Sequence, residues 1–254
     1  MSDFGVKEYL VEGASLPEAY HRALLALAEN EKIYPCDDWN TRQKEVSMTM
    51  VVEEPLKEPM ISKLFIGGPR ELEQYRQEML DGILDFEVER GNWAYTYHQR
   101  MAGQFDFVLE DLRRNPSSRR AVLLIRDAAK DCASNDPACL QHIQFFIRDG
   151  KLHCKVLFRS NDACKAAFMN AFALILLQKR FADELGLEMG TYTHRANSFH
   201  CYEKDFDMLE GYRKRITAAS DEYDICFDYV DGWDEDMALA AADIAKTVEE
   251  LKNR

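Results

Sequence analysis

DPACLQHIQFFIRDGKLHCKVLFRSND, residues 136–162, contains two apolar-rich runs on either side of an Asp-Gly step. The runs 142–147 and 152–158 have the composition of strands. Asp149-Gly150 is a strong hairpin signal, because tight two-residue turns need positive φ at both central positions. The same stretch carries one thiol, Cys139, and the cation-hydroxyl step Arg159-Ser160, with the pair Arg119-Arg120 shortly before it. A cysteine is a useful nucleophile only as its thiolate, and neighbouring positive charge lowers the thiol pKa. Arginine forks and a serine hydroxyl also suit a phosphate. The combination suggests covalent chemistry on a phosphorylated small molecule.

Outward from this stretch, apolar residues recur at helical spacing over 16–31, behind Ser15 as a plausible cap. Residues 45–53 alternate like a half-buried strand, 69–82 and 105–114 predict helices, and 115–118 a turn. Arg120–Arg126 is a short strand candidate. A long apolar helix is predicted over 162–185, ending at Gly186. Residues 189–204 look extended, 205–217 helical, 222–230 strand-like, and 234–252 amphipathic and helical. Strands mixed with packed helices, without regular βαβ alternation, predict an α+β class. No repeat or Gly/Ser linker divides residues 1–254, so a single domain is expected.

A net charge of −13 argues against a general nucleic-acid or anionic-membrane binder, though a local basic pocket can still hold a nucleotide. Seven cysteines without any CxxC pair fit free thiols in a reducing cytoplasm and give no structural metal site. The N-terminal sequence has no secretory pattern, and the longest apolar stretch, 166–177, is too short to span a bilayer.

Several segments together, NPSSRRAVLL, DPACLQHIQFFIRDGKLHCKVLFRSND, Phe168–Asn170 and HRANSFHCYEKD, resemble the thymidylate synthase family, which includes the pyrimidine nucleotide hydroxymethylases. The resemblance covers residues 97–205 and keeps its spacing: 19 residues from Arg120 to Cys139, 20 from Cys139 to Arg159, and 30 from Asn170 to His200. It implies a thymidylate synthase-like fold, a mixed sheet packed with helices, and a homodimer formed through the sheet.

The resemblance also implies roles. Cys139 is the nucleophile that adds to C6 of a pyrimidine, making C5 reactive toward a one-carbon electrophile. Arg159 and Ser160 hold phosphate, Arg159 lowering the thiol pKa as well. Arg119 and Arg120 reach the partner subunit's phosphate site in trans, and Arg42 is an N-terminal phosphate ligand. Asn170 reads the base edge, its amide suiting O4 and N3–H of uracil. His200 and Tyr202, at i and i+2 on one strand face, hold the sugar hydroxyl. Asp162 contacts the folate pterin, or caps a helix start. Tyr97 lies near proton transfer. The catalytic glutamate is expected on the 69–82 helix, at Glu73 or Glu78, with Glu73 preferred for its place beside Leu72, Tyr75, Met79 and Ile83.

Family members of the usual type end in an apolar tail that closes over the folate, whereas this chain ends in an amphipathic helix and Lys-Asn-Arg. The layout is closer to archaeal-type synthases and to nucleotide hydroxymethylases of antibiotic biosynthesis. The expected reaction is dUMP to dTMP, with 5,10-methylenetetrahydrofolate or a methanopterin analogue as carbon donor. The alternative is 5-hydroxymethylation of a uridine or cytidine nucleotide, and a non-catalytic nucleotide binder is the rival from another class.

Overall fold

Asp149 and Gly150 both take positive φ, 52° and 74°, the backbone that a two-residue turn matched to the strand twist requires. In the computed structural model, which describes residues 5–253, this turn joins two antiparallel strands, Leu140–Arg148 and Lys151–Phe158. The elements run in chain order as β1 (Glu8–Gly13), α1 (Leu16–Glu29), β2 (Ile33–Cys36), β3 (Thr41–Val52), β4 (Ile61–Ser62), α2 (Pro69–Leu80), α3 (Phe86–Glu89), α4 (Tyr97–Met101), α5 (Phe105–Arg114), β5 (Val122–Leu124) and α6 (Ala128–Asp131). The two hairpin strands follow as β6 and β7, then β8 (Asn161–Asp162), α7 (Ala167–Leu185), β9 (Glu188–Tyr202), α8 (Phe206–Ala218), β10 (Cys226–Phe227) and α9 (Asp234–Lys252).

The main sheet has the order β1-β3-β9-β7-β6-β5, with β2 paired to β3 and β8 to β9. It is mixed: β1–β3, β7–β9 and β8–β9 are parallel, and the other pairs antiparallel. The strand period of two sorts side chains into alternating rows across the sheet. One register row is Val11, Met50, His194, Val156, Ile143 and Leu123. All of these are buried except the half-buried Val11, and their face is covered by α1 and α7. The neighbouring row, Leu10, Thr49, Arg195, Leu157, His142 and Leu124, lies on the opposite face. There Leu10 is 65% exposed and Leu124 59%, so among the described residues no layer covers this face.

Helix α7 is the central core element. Phe168, Phe172, Leu174, Ile175, Leu177 and Phe181 are all buried, each contributing about 1.5–3 kcal/mol through removal from water. Phe181 stacks on Phe145 of β6 with centroids 4.8 Å apart, and Gly186 ends the helix at φ 65°, the left-handed closure that glycine permits. The helix is shorter than the predicted 162–185. Asn161 and Asp162 instead pair with Phe199 and His200 as β8, and Asp162 Oδ1 accepts the amides of Cys164 and Lys165 at 3.0 Å each.

The strand predicted over 222–230 shrinks to Cys226–Phe227, paired with β4. Two carboxylates cause this. Asp224 accepts from the amides of Ser220 and Asp221 and curls the chain before the strand. Glu58 accepts from the amides of Tyr229 and Val230, at 2.9 and 3.0 Å, and curls it again afterwards.

Helix α9 docks on the outside of α2. Ile244 and Val248 bury against Leu84, Ile83 and Phe86, and Arg70 of α2 bonds Asp243 at 3.1 Å and Thr247 at 3.3 Å. Arg90 donates to the terminal carbonyls of Leu251, at 2.9 Å, and Lys252, satisfying acceptors that a helix end leaves open. No helix among the described residues is long and apolar enough to cross a membrane.

Candidate active site

The hairpin register brings Cys139 and Arg159 together. A bulge at Gln141 separates the pairs Leu140–Phe158 and His142–Leu157. That one-residue shift puts Arg159, rather than Ser160, opposite Cys139, and the Arg159 amide donates to the Cys139 carbonyl at 2.8 Å. The Gln141 side chain fixes the bulge by donating to the carbonyls of Ala138 (2.7 Å) and Cys139 (3.2 Å). Bulges of this kind re-aim side chains next to active sites.

The Arg159 guanidinium donates to the carbonyls of Pro137 (2.6 Å) and Ala138 (3.2 Å) and lies 3.6 Å from Asp136. Cys139 is half-buried. Burial pushes its thiol above the usual range; Arg159 pulls it down and Asp136 pushes it up again. The cation therefore acts on the sulfur in the expected direction, but burial outweighs it.

Parallel pairing of β8 with β9 sets Asp162 beside His200. Ser160 Oγ lies 3.3 Å from His200 Nδ1, and the rings of His200 and Tyr202 meet edge-on at 4.7 Å. Burial lowers the His200 pKa, keeping the ring neutral. Its Nε2 is buried and has no hydrogen-bond partner among the described residues. Tyr202 is pushed up to about 12, chiefly by burial.

A cavity of about 430 Å³ is lined by Tyr75, Glu78 and Met79 of α2, by 93–97, and by Ser134 and Asp136, the carboxylate 3.6 Å from Arg159. Tyr97 opens α4 behind Thr96, whose hydroxyl caps the helix by accepting the amide of Gln99 at 3.0 Å. The phenols of Tyr75, Tyr95 and Tyr97 all feel the Cys139 sulfur electrostatically, and Asp136 of the cavity wall lies three residues before it. Burial raises Tyr97 well above the phenol range and Tyr95 to about 12, so both stay protonated at neutral pH.

The two glutamates differ in surroundings. Glu73 is buried and held by Arg76 through two bonds of 2.7 and 2.8 Å, and by Gln77 at 2.7 Å. Glu78 lines the cavity, and burial raises its pKa, with a bond from Gln74 opposing. Asn170, buried on α7, accepts a hydrogen bond from the Tyr75 hydroxyl.

Three of the predicted arginines stand apart from the thiol. Arg42 is exposed and paired with Glu203. Arg119 and Arg120 are exposed at the start of the edge strand β5, Arg120 lying 3.5 Å from Asp111. Asp162 serves as the turn cap described above. The sequence reading passed over Tyr75, Tyr95, Trp93 and Asp136 as site residues. The signals for them were the apolar stripe of α2 for Tyr75, the aromatic run Trp-Ala-Tyr-Thr-Tyr, and the position of Asp136 three residues before the cysteine.

The thymidylate synthase family model matches residues 70–231. A Methanocaldococcus jannaschii protein, provisionally named a thymidylate synthase, is 30% identical over 212 residues, covering 80% of this chain and 95% of that one. Thymidylate synthase 1 of Bacillus subtilis is 28% identical over 174 residues, covering 68% of this chain and 60% of its own. In fold, the thermostable thymidylate synthase A of B. subtilis superposes with a TM-score of 0.63 at 20% identity, covering 79% of this chain and 84% of that one.

Proposed function

The chain belongs to the thymidylate synthase family of one-carbon transferases, and from that premise we propose that it alkylates C5 of a pyrimidine nucleoside 5′-monophosphate, converting dUMP to dTMP. The observation that carries this reading is the bulged hairpin register, which sets Cys139 opposite Arg159, whose guanidinium lies 3.6 Å from Asp136 in the wall of an aromatic cavity.

The Cys139 thiolate adds to C6 of the pyrimidine, and the C5–C6 π electrons move through C4 onto O4. The resulting enolate is nucleophilic at C5, where the new carbon–carbon bond forms. Loss of the C5 proton and expulsion of the thiolate from C6 then restore the ring double bond. Arg159 and Ser160, with Arg42 released from Glu203, grip the phosphate. Asn170 faces the base, and His200 Nε2 with Tyr202 takes a sugar hydroxyl. Tyr97 and a glutamate hold and pass protons through ordered water. Of the two glutamates the surroundings favour Glu78, which lines the cavity and whose pKa burial raises; Glu73 is committed to Arg76.

The family uses a methylenetetrahydrofolate-type folate. The cavity fits such a group, since Trp93, Tyr95, Tyr97 and Met79 offer flat and apolar walls. When bound, that cofactor supplies the carbon and, for a methyl product, the hydride. Tyr95 and Trp93 would hold its ring system, with Asp162 at the edge of the site.

The uncovered sheet face supports a homodimer, with Arg119 and Arg120 reaching the partner's phosphate in trans. Incubation with pyrimidine monophosphates and methylenetetrahydrofolate tests the reaction. Dihydrofolate formed together with dTMP is expected; tetrahydrofolate with a hydroxymethylated nucleotide would assign the hydroxymethylase reaction instead. No product from any pyrimidine monophosphate would overturn the proposal.

A further inference from the structure

We infer that Tyr75 is a positioning residue that pins the amide of Asn170 and thereby sets the enzyme's preference for a uracil over a cytosine base. The inference rests on the proposed role of Asn170 at the base edge. Tyr75 lies on the inner face of α2, lines the cavity and is close enough to Cys139 to feel its charge. Its hydroxyl donates to Oδ1 of Asn170 on α7, joining two residues 95 positions apart in sequence. Burial raises the Tyr75 phenol far above its ordinary value, so it stays protonated and acts as a donor toward Oδ1 throughout the working pH range.

An asparagine amide has a donor end and an acceptor end and can serve opposite partners by turning over. Uracil presents an acceptor at position 4 and a donor at N3; cytosine presents the reverse. An unrestrained amide accommodates either base by a half-turn. With Oδ1 anchored on Tyr75, the half-turn would leave the phenolic O–H facing the NH2 group and lose a buried hydrogen bond. The pinned amide keeps Nδ2–H available for a carbonyl at position 4 and meets a cytosine amino group donor to donor. Asn170 is only 4% exposed, so water cannot readily repair the mismatch.

The test compares dUMP and dCMP binding by calorimetry, independent of turnover, in the unaltered protein and in Tyr75→Phe, which keeps the ring and removes only the hydroxyl. The preference for dUMP is expected to fall about tenfold, the worth of one buried hydrogen bond. The same change in an Asn170→Ala background should move the ratio less than about twofold, because the oriented amide is gone. Equal weakening toward both nucleotides, with the ratio unchanged, would overturn the inference while leaving the proposed function intact. Failure of the unaltered protein to bind either nucleotide would overturn the proposed function, and the inference with it.

Discussion

At Cys139 two effects of opposite sign meet on one sulfur. Burial favours the neutral thiol, the Arg159 cation favours the thiolate, and Asp136, 3.6 Å from that cation, offsets part of its influence. Because the thiol is raised, its alkylation rate should still be climbing with pH through the ordinary thiol range. Removing the opposing carboxylate lowers the thiol pKa and shifts that curve to lower pH. Asp136→Asn should therefore speed modification of Cys139 by iodoacetamide about two- to fivefold at pH 8, less at high salt because Asp136 is exposed. Peptide mass spectrometry separates Cys139 from the exposed Cys132, and an unchanged or slower rate would refute the balance described. Little of this was legible in the sequence. Arg159 stood out through its Arg-Ser step, but the approach of Asp136 to that cation and the degree of burial emerge only when the chain is folded.

At the scale of elements, the hairpin was the most legible feature. Asp149-Gly150 determines its own backbone, and the turn then places everything on β6 and β7 up to the bulge. The bulge itself was hidden, since a glutamine that bonds two carbonyls has no distinctive pattern in sequence. Tyr75 was visible on the apolar stripe of α2, yet its bond to Asn170 depends on how α2 packs on α7. The strand expected at 222–230 failed because Glu58 and Asp224 capture backbone amides there, and such captures override an apolar alternation. The role of the last helix was likewise unreadable. Its position now assigns it to holding α2, the helix that carries Tyr75 and Glu78. Ile244 is 1% exposed where α9 packs on residues 83–86, just after α2, and Ile244→Ala should lower the unfolding free energy by about 2–5 kcal/mol. Urea denaturation measures the loss, and a value below about 0.5 kcal/mol would mean that α9 does not buttress α2.

For the whole molecule, the uncovered row from Leu10 to Leu124 is the surface a second copy is proposed to cover, a self-complementary contact about a two-fold axis. In that arrangement each site draws on both chains. Proteins carrying Cys139→Ala and Arg119→Ala/Arg120→Ala should each be nearly inactive. An equal mixture allowed to exchange subunits should recover about a quarter of normal activity, since half the dimers are hybrids with one intact site of two. No recovery, despite demonstrated exchange, would contradict the trans arrangement of the arginines.

Release of tritium from C5 of labelled dUMP in the presence of methylenetetrahydrofolate follows the chemistry most directly, because that hydrogen leaves only after the ring has been activated at C6. The unaltered protein should release it, and Cys139→Ala should cut the rate by at least about a thousandfold. Release that persists at a comparable rate without the Cys139 sulfur would contradict covalent activation by this residue.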